Sequence, residues 1–145
     1  MPVFSKRVVP VLLAGFLSIS VVSFNAAKEI IRVDNIAQTA LLSKIEEQKP
    51  PLIIDVRSPA EYAEGHVPGA INIDFRQIKN RLDEIQQYQK STVVIYCETG
   101  IRARIAESTL LEAGFQSILH LEGHMSAWRS NSLPLEKLSS EFNSN

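Results

Sequence analysis

Apolar positions along this chain fall into short continuous runs separated by stretches with helical spacing. Three runs, Leu52-Ile53-Ile54-Asp55-Val56, Thr92-Val93-Val94-Ile95-Tyr96 and Ser117-Ile118-Leu119-His120-Leu121, are rich in β-branched side chains; Ile71-Asn72-Ile73 is a shorter fourth. Runs without alternation predict strands covered on both faces. Between them, Asp34 is placed to cap a helix carrying Ile36, Ala40, Leu41 and Ile45, stopped by Pro50-Pro51. Ile78, Leu82 and Ile85 recur at i, i+4 and i+7 before Tyr88. After residue 102, Ile105, Leu110, Leu111 and Phe115 continue a helical pattern, with Gly114 as the stop. Ser58-Pro59-Ala60-Glu61 is a capping-box pattern with proline at the first helical position, so a short helix begins just past the first strand. The predicted order is helix, strand, short helix, strand, helix, strand, helix, strand, helix. Such alternation predicts an α/β fold with a mainly parallel central sheet and helices on both faces. There is no internal repeat, and only residues 139–145 read as a frayed tail.

The first 27 residues follow another pattern. Lys6-Arg7 is followed by fifteen uncharged residues, Val8 to Val22. That run is shorter than the ~20 residues a membrane span needs, and it suits a secretory signal. Val21-x-Ser23 is the nearest acceptable cleavage pair, so an uncleaved N-terminal anchor is the alternative, with the same orientation. No cysteine closes the run, which excludes a lipoprotein anchor. Either way the folded part, residues 31–138, is expected outside the cytoplasm, in the periplasm. Membrane contact is then expected only through the N-terminal segment.

Composition narrows the classes further. With 145 residues and 45% hydrophobic content, the chain is one globular domain rather than two or a disordered segment. The formal charge of −1 gives no footprint for nucleic acid, and any anion site must be local. A single cysteine excludes an internal disulfide framework and an all-thiolate zinc site.

That cysteine lies in the most informative segment, Tyr96-Cys97-Glu98-Thr99-Gly100-Ile101-Arg102-Ala103-Arg104. A strand ends at Tyr96 and a helical pattern begins near Arg102, which puts Cys97 at the C-terminal edge of the sheet, where open α/β folds bind ligands. A short loop closing onto a helix N-terminus turns backbone N–H groups inward as an anion cradle. Gly100 admits conformations barred to other residues, and Arg102 adds a positive charge. Together these are expected to lower the thiol pKa and hold Cys97 as a thiolate. Arg104, two positions further round the helix, is expected to be solvated.

The loop resembles the active-site loop of rhodanese-domain sulfurtransferases. Asp55-Val56-Arg57-Ser58-Pro59-Ala60-Glu61-Tyr62 followed by Gly65-His66-Val67-Pro68-Gly69-Ala70-Ile71-Asn72-Ile73 is similar to the family's upstream signature. Leu121-Glu122-Gly123-His124-Met125-Ser126-Ala127-Trp128, with Leu133-Pro134-Leu135 behind it, resembles the C-terminal one. The similarity covers about Ile31 to Glu136. It implies a rhodanese-like fold and a ping-pong reaction with no metal or organic cofactor. The Cys97 thiolate would take the sulfane sulfur of a small anionic donor such as thiosulfate. It would then pass that sulfur, as a persulfide, to cyanide, a thiol or a protein acceptor. The resemblance makes Cys97 the nucleophile and Glu98, Thr99, Gly100, Ile101 and Arg102 the substrate-binding loop, with Asp55, Arg57 and His66 in support. Two departures stand out. Glu98 replaces a basic residue common after the cysteine, and a carboxylate there repels anions unless it points to solvent. His124 and Ser132 stand where glycines are common, which reshapes the pocket rim.

The remaining conspicuous residues are expected to be structural. Asp55 and Arg57 read as an ion pair closing the strand, with support of the loop by the carboxylate as the second reading. His66 reads as a turn-stabilising hydrogen-bond partner. His120 and His124 lack metal-ligand spacing. Trp128 reads as a core anchor. Glu107 and Glu112, and the pairs Glu46-Glu47 and Asp83-Glu84, read as solvated. Two other functions compete. Cysteine phosphatases and arsenate reductases use a Cys-x5-Arg loop, whereas only four residues separate Cys97 from Arg102, and Tyr96 replaces the usual histidine. A slow sulfur carrier or binding module is the third reading, kept open by Glu98.

Overall fold

The computed structural model describes residues 34–138. The expected export segment, 1–27, and the expected tail, 139–145, lie outside the described residues. No described helix is long and apolar enough to cross a membrane.

Five strands form one parallel sheet: β1 Asp34–Ile36, β2 Leu52–Asp55, β3 Ile71–Asn72, β4 Thr92–Tyr96 and β5 Ser117–Leu121, in the order β1-β5-β4-β2-β3. Among the described residues the α-helices are α1 Gln38–Glu46, α2 Pro59–Glu64, α3 Ile101–Glu112 and α4 His124–Ser130. The central strands are apolar on both sides, as parallel strands sandwiched between helices must be. Ile53, Val94, Tyr96 and Leu121 join Leu41 of α1 and Met125 and Trp128 of α4 in one core. Ile54, Val93, Ile95 and Ile118 join Ala103, Ala106 and Leu110 of α3 in the other. Trp128 is fully buried and its indole N–H donates to Pro134 O at 2.8 Å. Full burial of each large aliphatic side chain contributes roughly 1.5–3 kcal/mol, so the two layers fix the strand register.

Three local expectations are corrected. Asp34 does not cap a helix: Asp34–Ile36 is an edge strand, and α1 starts at Gln38 after Ala37, with no side-chain cap. Ile36 pairs with Leu121, and its carbonyl accepts from Glu122 N at 3.0 Å, so the sheet satisfies backbone groups that the helix would have taken. The stretch with Ile78, Leu82 and Ile85 is three successive 3-10 turns, Ile78–Asn80, Leu82–Glu84 and Gln86–Tyr88. The turns still bury Ile78 and Ile85 while rising ~2.0 Å per residue instead of 1.5, so they span more ground. In α3 the inward face is Ala103, Ala106, Glu107 and Leu110, leaving Ile105 and Leu111 exposed. Glu107 is therefore buried, not solvated. Its carboxylate lies 3.3 Å from His120 Nε2, and burial pushes its pKa up.

Strands β4 and β2 are neighbours whose onward connections leave in opposite directions, β4 to β5 and β2 to β3. Open parallel sheets place a crevice at the carboxyl ends of such a pair.

Candidate active site

The register of the sheet brings the site together. Asp55 pairs with Tyr96, so the residues after β2 lie beside the loop after β4. Ile95 pairs with His120, so the start of α4 lies on the loop's other side. Cys97 is 2% exposed, and its Sγ accepts a hydrogen bond from Gly100 N at 3.0 Å. Gly100 is the N-cap of α3 at φ 112°, a left-handed conformation that no other residue adopts comfortably. A Cβ there would also sit 2.8 Å from His124 Nε2, so glycine is required twice over. The carbonyls of Cys97 and Glu98 accept from Met125 N and Ser126 N at 3.0 and 3.1 Å, which turns them away from the thiol. No side chain caps α3, so the amides of its first turn stay open to a ligand beside Sγ.

The charged residues are held in pairs. Arg57 is 1% exposed and clasps Asp55 through Nε (3.0 Å) and Nη2 (2.6 Å), and it also donates to Gly65 O. Asp55 takes its remaining hydrogen bond from Arg57 N, not from the Cys97 loop. This is the ion pair expected on sequence grounds, and it reaches the loop indirectly: Arg57 Nη1 is 3.7 Å from Glu98 Oε2. Arg102 points its guanidinium at Glu61, with contacts of 2.7 and 2.8 Å. That pairing, strengthened by Ser58, holds the Glu61 carboxyl down at about 2 and raises Arg102, with Cys97 a lesser contributor to the latter. Glu98 is half-buried at the cleft edge, and Arg129 binds its carboxylate from α4.

The other expected residues spread out. Thr99 is exposed on the loop, and Ile101, 73% exposed, opens α3 toward solvent. His66 stacks on Tyr62 at 3.6 Å, its Nδ1 bonds Tyr62 O at 2.8 Å, and its backbone bridges Glu136. It thus stabilises the turn after α2 and does not touch the loop. Tyr96 accepts a hydrogen bond from Val67 N through its hydroxyl, and burial pushes its pKa up. His124 and Ser132 both adopt φ 52°, the conformation that makes glycine common at their positions. Among the described residues, no group of three His, Cys, Asp or Glu side chains is arranged to hold a metal ion.

Beside the loop lies a cleft of about 370 Å³ lined by Arg57, Glu61, Glu64, Glu98, Arg129 and Leu135 with Gly65. Sequence reasoning missed Arg129 and the second role of Glu61. The capping box supplied a signal for the latter, since it fixes Glu61 at the edge where β2 meets β4. Arg129 carried none, because α4 had to be placed first.

A strand-end cysteine facing a helix N-terminus, flanked by the residues after β2 and the start of α4, defines a recognisable class, and the chain belongs to the Rhodanese-like domain family, which matches residues 37–131. It is 33% identical over 103 residues to a protein named sulfurtransferase from Allochromatium vinosum, covering 71% of this chain and 94% of that one. It is 34% identical over 91 residues to the chloroplastic thiosulfate sulfurtransferase 16 of Arabidopsis thaliana, covering 56% and 76%. Several other relatives are longer: the chain spans 52% of one from Synechocystis and 33% of a tRNA uridine(34) hydroxylase from Buchnera aphidicola. Among solved structures, a full-length protein from Lactobacillus plantarum superposes with a TM-score of 0.63 at 27% identity, covering 72% and 88%. The five-strand parallel sheet is thus the rhodanese fold that the motifs led us to expect.

Proposed function

We propose that the protein is a sulfurtransferase that carries a sulfane sulfur on Cys97. The observation that carries this reading is the Cys97 Sγ at the end of β4, bonded by Gly100 N–H at the N-terminus of the twelve-residue helix α3. A backbone N–H aimed at sulfur binds the anion better than the thiol, and a persulfide places its negative charge in the same spot. In the first step the Cys97 thiolate attacks the outer sulfur of thiosulfate or a related donor. The donor S–S bond breaks, its electron pair leaves with sulfite, and Cys97 becomes a persulfide. In the second step cyanide or a thiol attacks the outer sulfur and Cys97 leaves as thiolate. No proton need be taken from carbon or nitrogen, so a general base is unnecessary. With no second cysteine, the sulfur leaves only to an external acceptor.

Arg57 and Arg129 are the two cations nearest the cleft, and both are engaged by Glu98. Thiosulfate must displace that carboxylate to use them, which favours slow use of this donor. That engagement is also what supports the sulfur-carrier reading. The loop is one residue short of the Cys-x5-Arg ring, and Arg102 is held by Glu61, so nothing favours phosphate chemistry. The reading takes residues 1–27 as an export segment, so the reaction runs in the periplasm.

Steady-state kinetics with thiosulfate and cyanide test the reading. Parallel double-reciprocal lines and thiocyanate formation are expected. Absence of thiocyanate, with hydrolysis of a phenyl phosphate ester, would overturn it.

A further inference from the structure

His124 holds a backbone conformation suited to glycine, at φ 52° directly after Gly123 at φ 66°. An L-residue there is strained, so the side chain must be held by contacts that a glycine would lack. Two such contacts exist. His124 Nδ1 accepts the Cys97 amide hydrogen at 3.4 Å, and the other edge of the ring stands against Gly100. One imidazole therefore touches both ends of the segment Cys97 to Gly100, and it touches main chain rather than Sγ.

We infer that His124 is a positioning residue: its neutral ring braces the Cys97–Gly100 loop by accepting the Cys97 amide hydrogen and packing on Gly100. The role presupposes the sulfur chemistry proposed above. Nδ1 can accept only while it carries no proton; with one, two N–H groups would face each other. The surroundings keep it neutral. Burial, then His120 from β5, then Arg104 from α3 hold its pKa down to about 4. His120 meets it edge-on at 5.7 Å between centroids, and burial also lowers the pKa of His120. Glu107 of α3 backs His120 from the other side, itself pushed toward the neutral form by burial. The brace is therefore intact at neutral pH and is lost as pH falls through about 4.

Hydrogen–deuterium exchange of the full chain, reading the peptide that contains Cys97 to Gly100, tests the inference in two variants. His124→Gly removes the ring and the strain together. Its loop protection should fall about tenfold, the scale of one net hydrogen bond, with the melting temperature unchanged or higher. The rate constant kcat for sulfur transfer should drop while KM for thiosulfate holds. His124→Asn keeps an acceptor near the place of Nδ1 and tolerates the left-handed backbone. It should recover most of the protection and rate lost in the glycine variant. It should also keep that protection at pH 4, where about half of the wild-type rings are protonated and the brace is correspondingly weakened. Wild-type protection in His124→Gly, or glycine-like exchange in His124→Asn, would overturn the role. If the wild type itself forms no persulfide, the functional reading fails, and the exchange data still decide whether His124 braces the loop.

Discussion

Two strand-to-helix corners meet at the same edge of the sheet, and they treat their backbone amides in opposite ways. After β2, side chains occupy the amides: Arg57 N–H goes to Asp55, Ser58 N–H to Glu61, and Glu61 N–H to Ser58. After β4 no side chain caps the helix; the N-cap is a glycine, and its N–H goes to Sγ. The first corner satisfies itself and becomes scaffold. The second leaves donors for something else to bind, beside the thiol of Cys97. The difference between a structural corner and a reactive one is therefore whether the helix carries its own cap.

Substitutions sharpen the contrast. Cys97→Ala removes the only sulfur nucleophile, so transfer to cyanide should vanish in the thiocyanate assay. The circular dichroism spectrum should be retained, because one small side chain at a loop is lost. Gly100→Ala should lower kcat by about 100-fold, the effect of disturbing one preorganised donor; the new Cβ both strains φ 112° and strikes the His124 ring. In the scaffold corner, Ser58→Ala should cost about 1 kcal/mol in urea unfolding, an ordinary N-cap loss. The Glu61 carboxyl, held at about 2 by Arg102, adds a pH dependence. Its folded pKa lies below the ordinary 4.5, so its contribution is full above that pH and is lost as pH falls toward 2. Glu61→Gln should flatten that limb of the acid unfolding curve. Glu98→Gln should have the smallest effect, lowering KM for thiosulfate by about threefold at low salt and less at high salt, as expected for a partly exposed ion pair.

The sheet was legible because Leu52 to Val56 and Thr92 to Tyr96 are too uniformly apolar to be anything but doubly covered strands. The edge strand at Asp34 was not, since Asp and Asn are poor strand formers and only Ile36 is buried. The three short turns near Ile78 escaped because burial periodicity reports which side chains face inward, not how tightly the backbone winds. At the site, Cys97 and Gly100 could be read from spacing within one loop. The pairings of Glu61 with Arg102 and of Glu98 with Arg129 could not, since they join residues 41 and 31 positions apart. His124 could be read as a departure from glycine, but its contact with Cys97 depends on how α4 sits against the loop.

The central claim is that amides left open after β4 hold a sulfur on Cys97. Intact-protein mass spectrometry after treatment with thiosulfate tests it most directly. The account predicts one added sulfur, mapped to the Cys97 peptide and removed by dithiothreitol or cyanide. An unchanged mass with every sulfane donor tried, or a sulfur adduct that persists in Cys97→Ala, would contradict it.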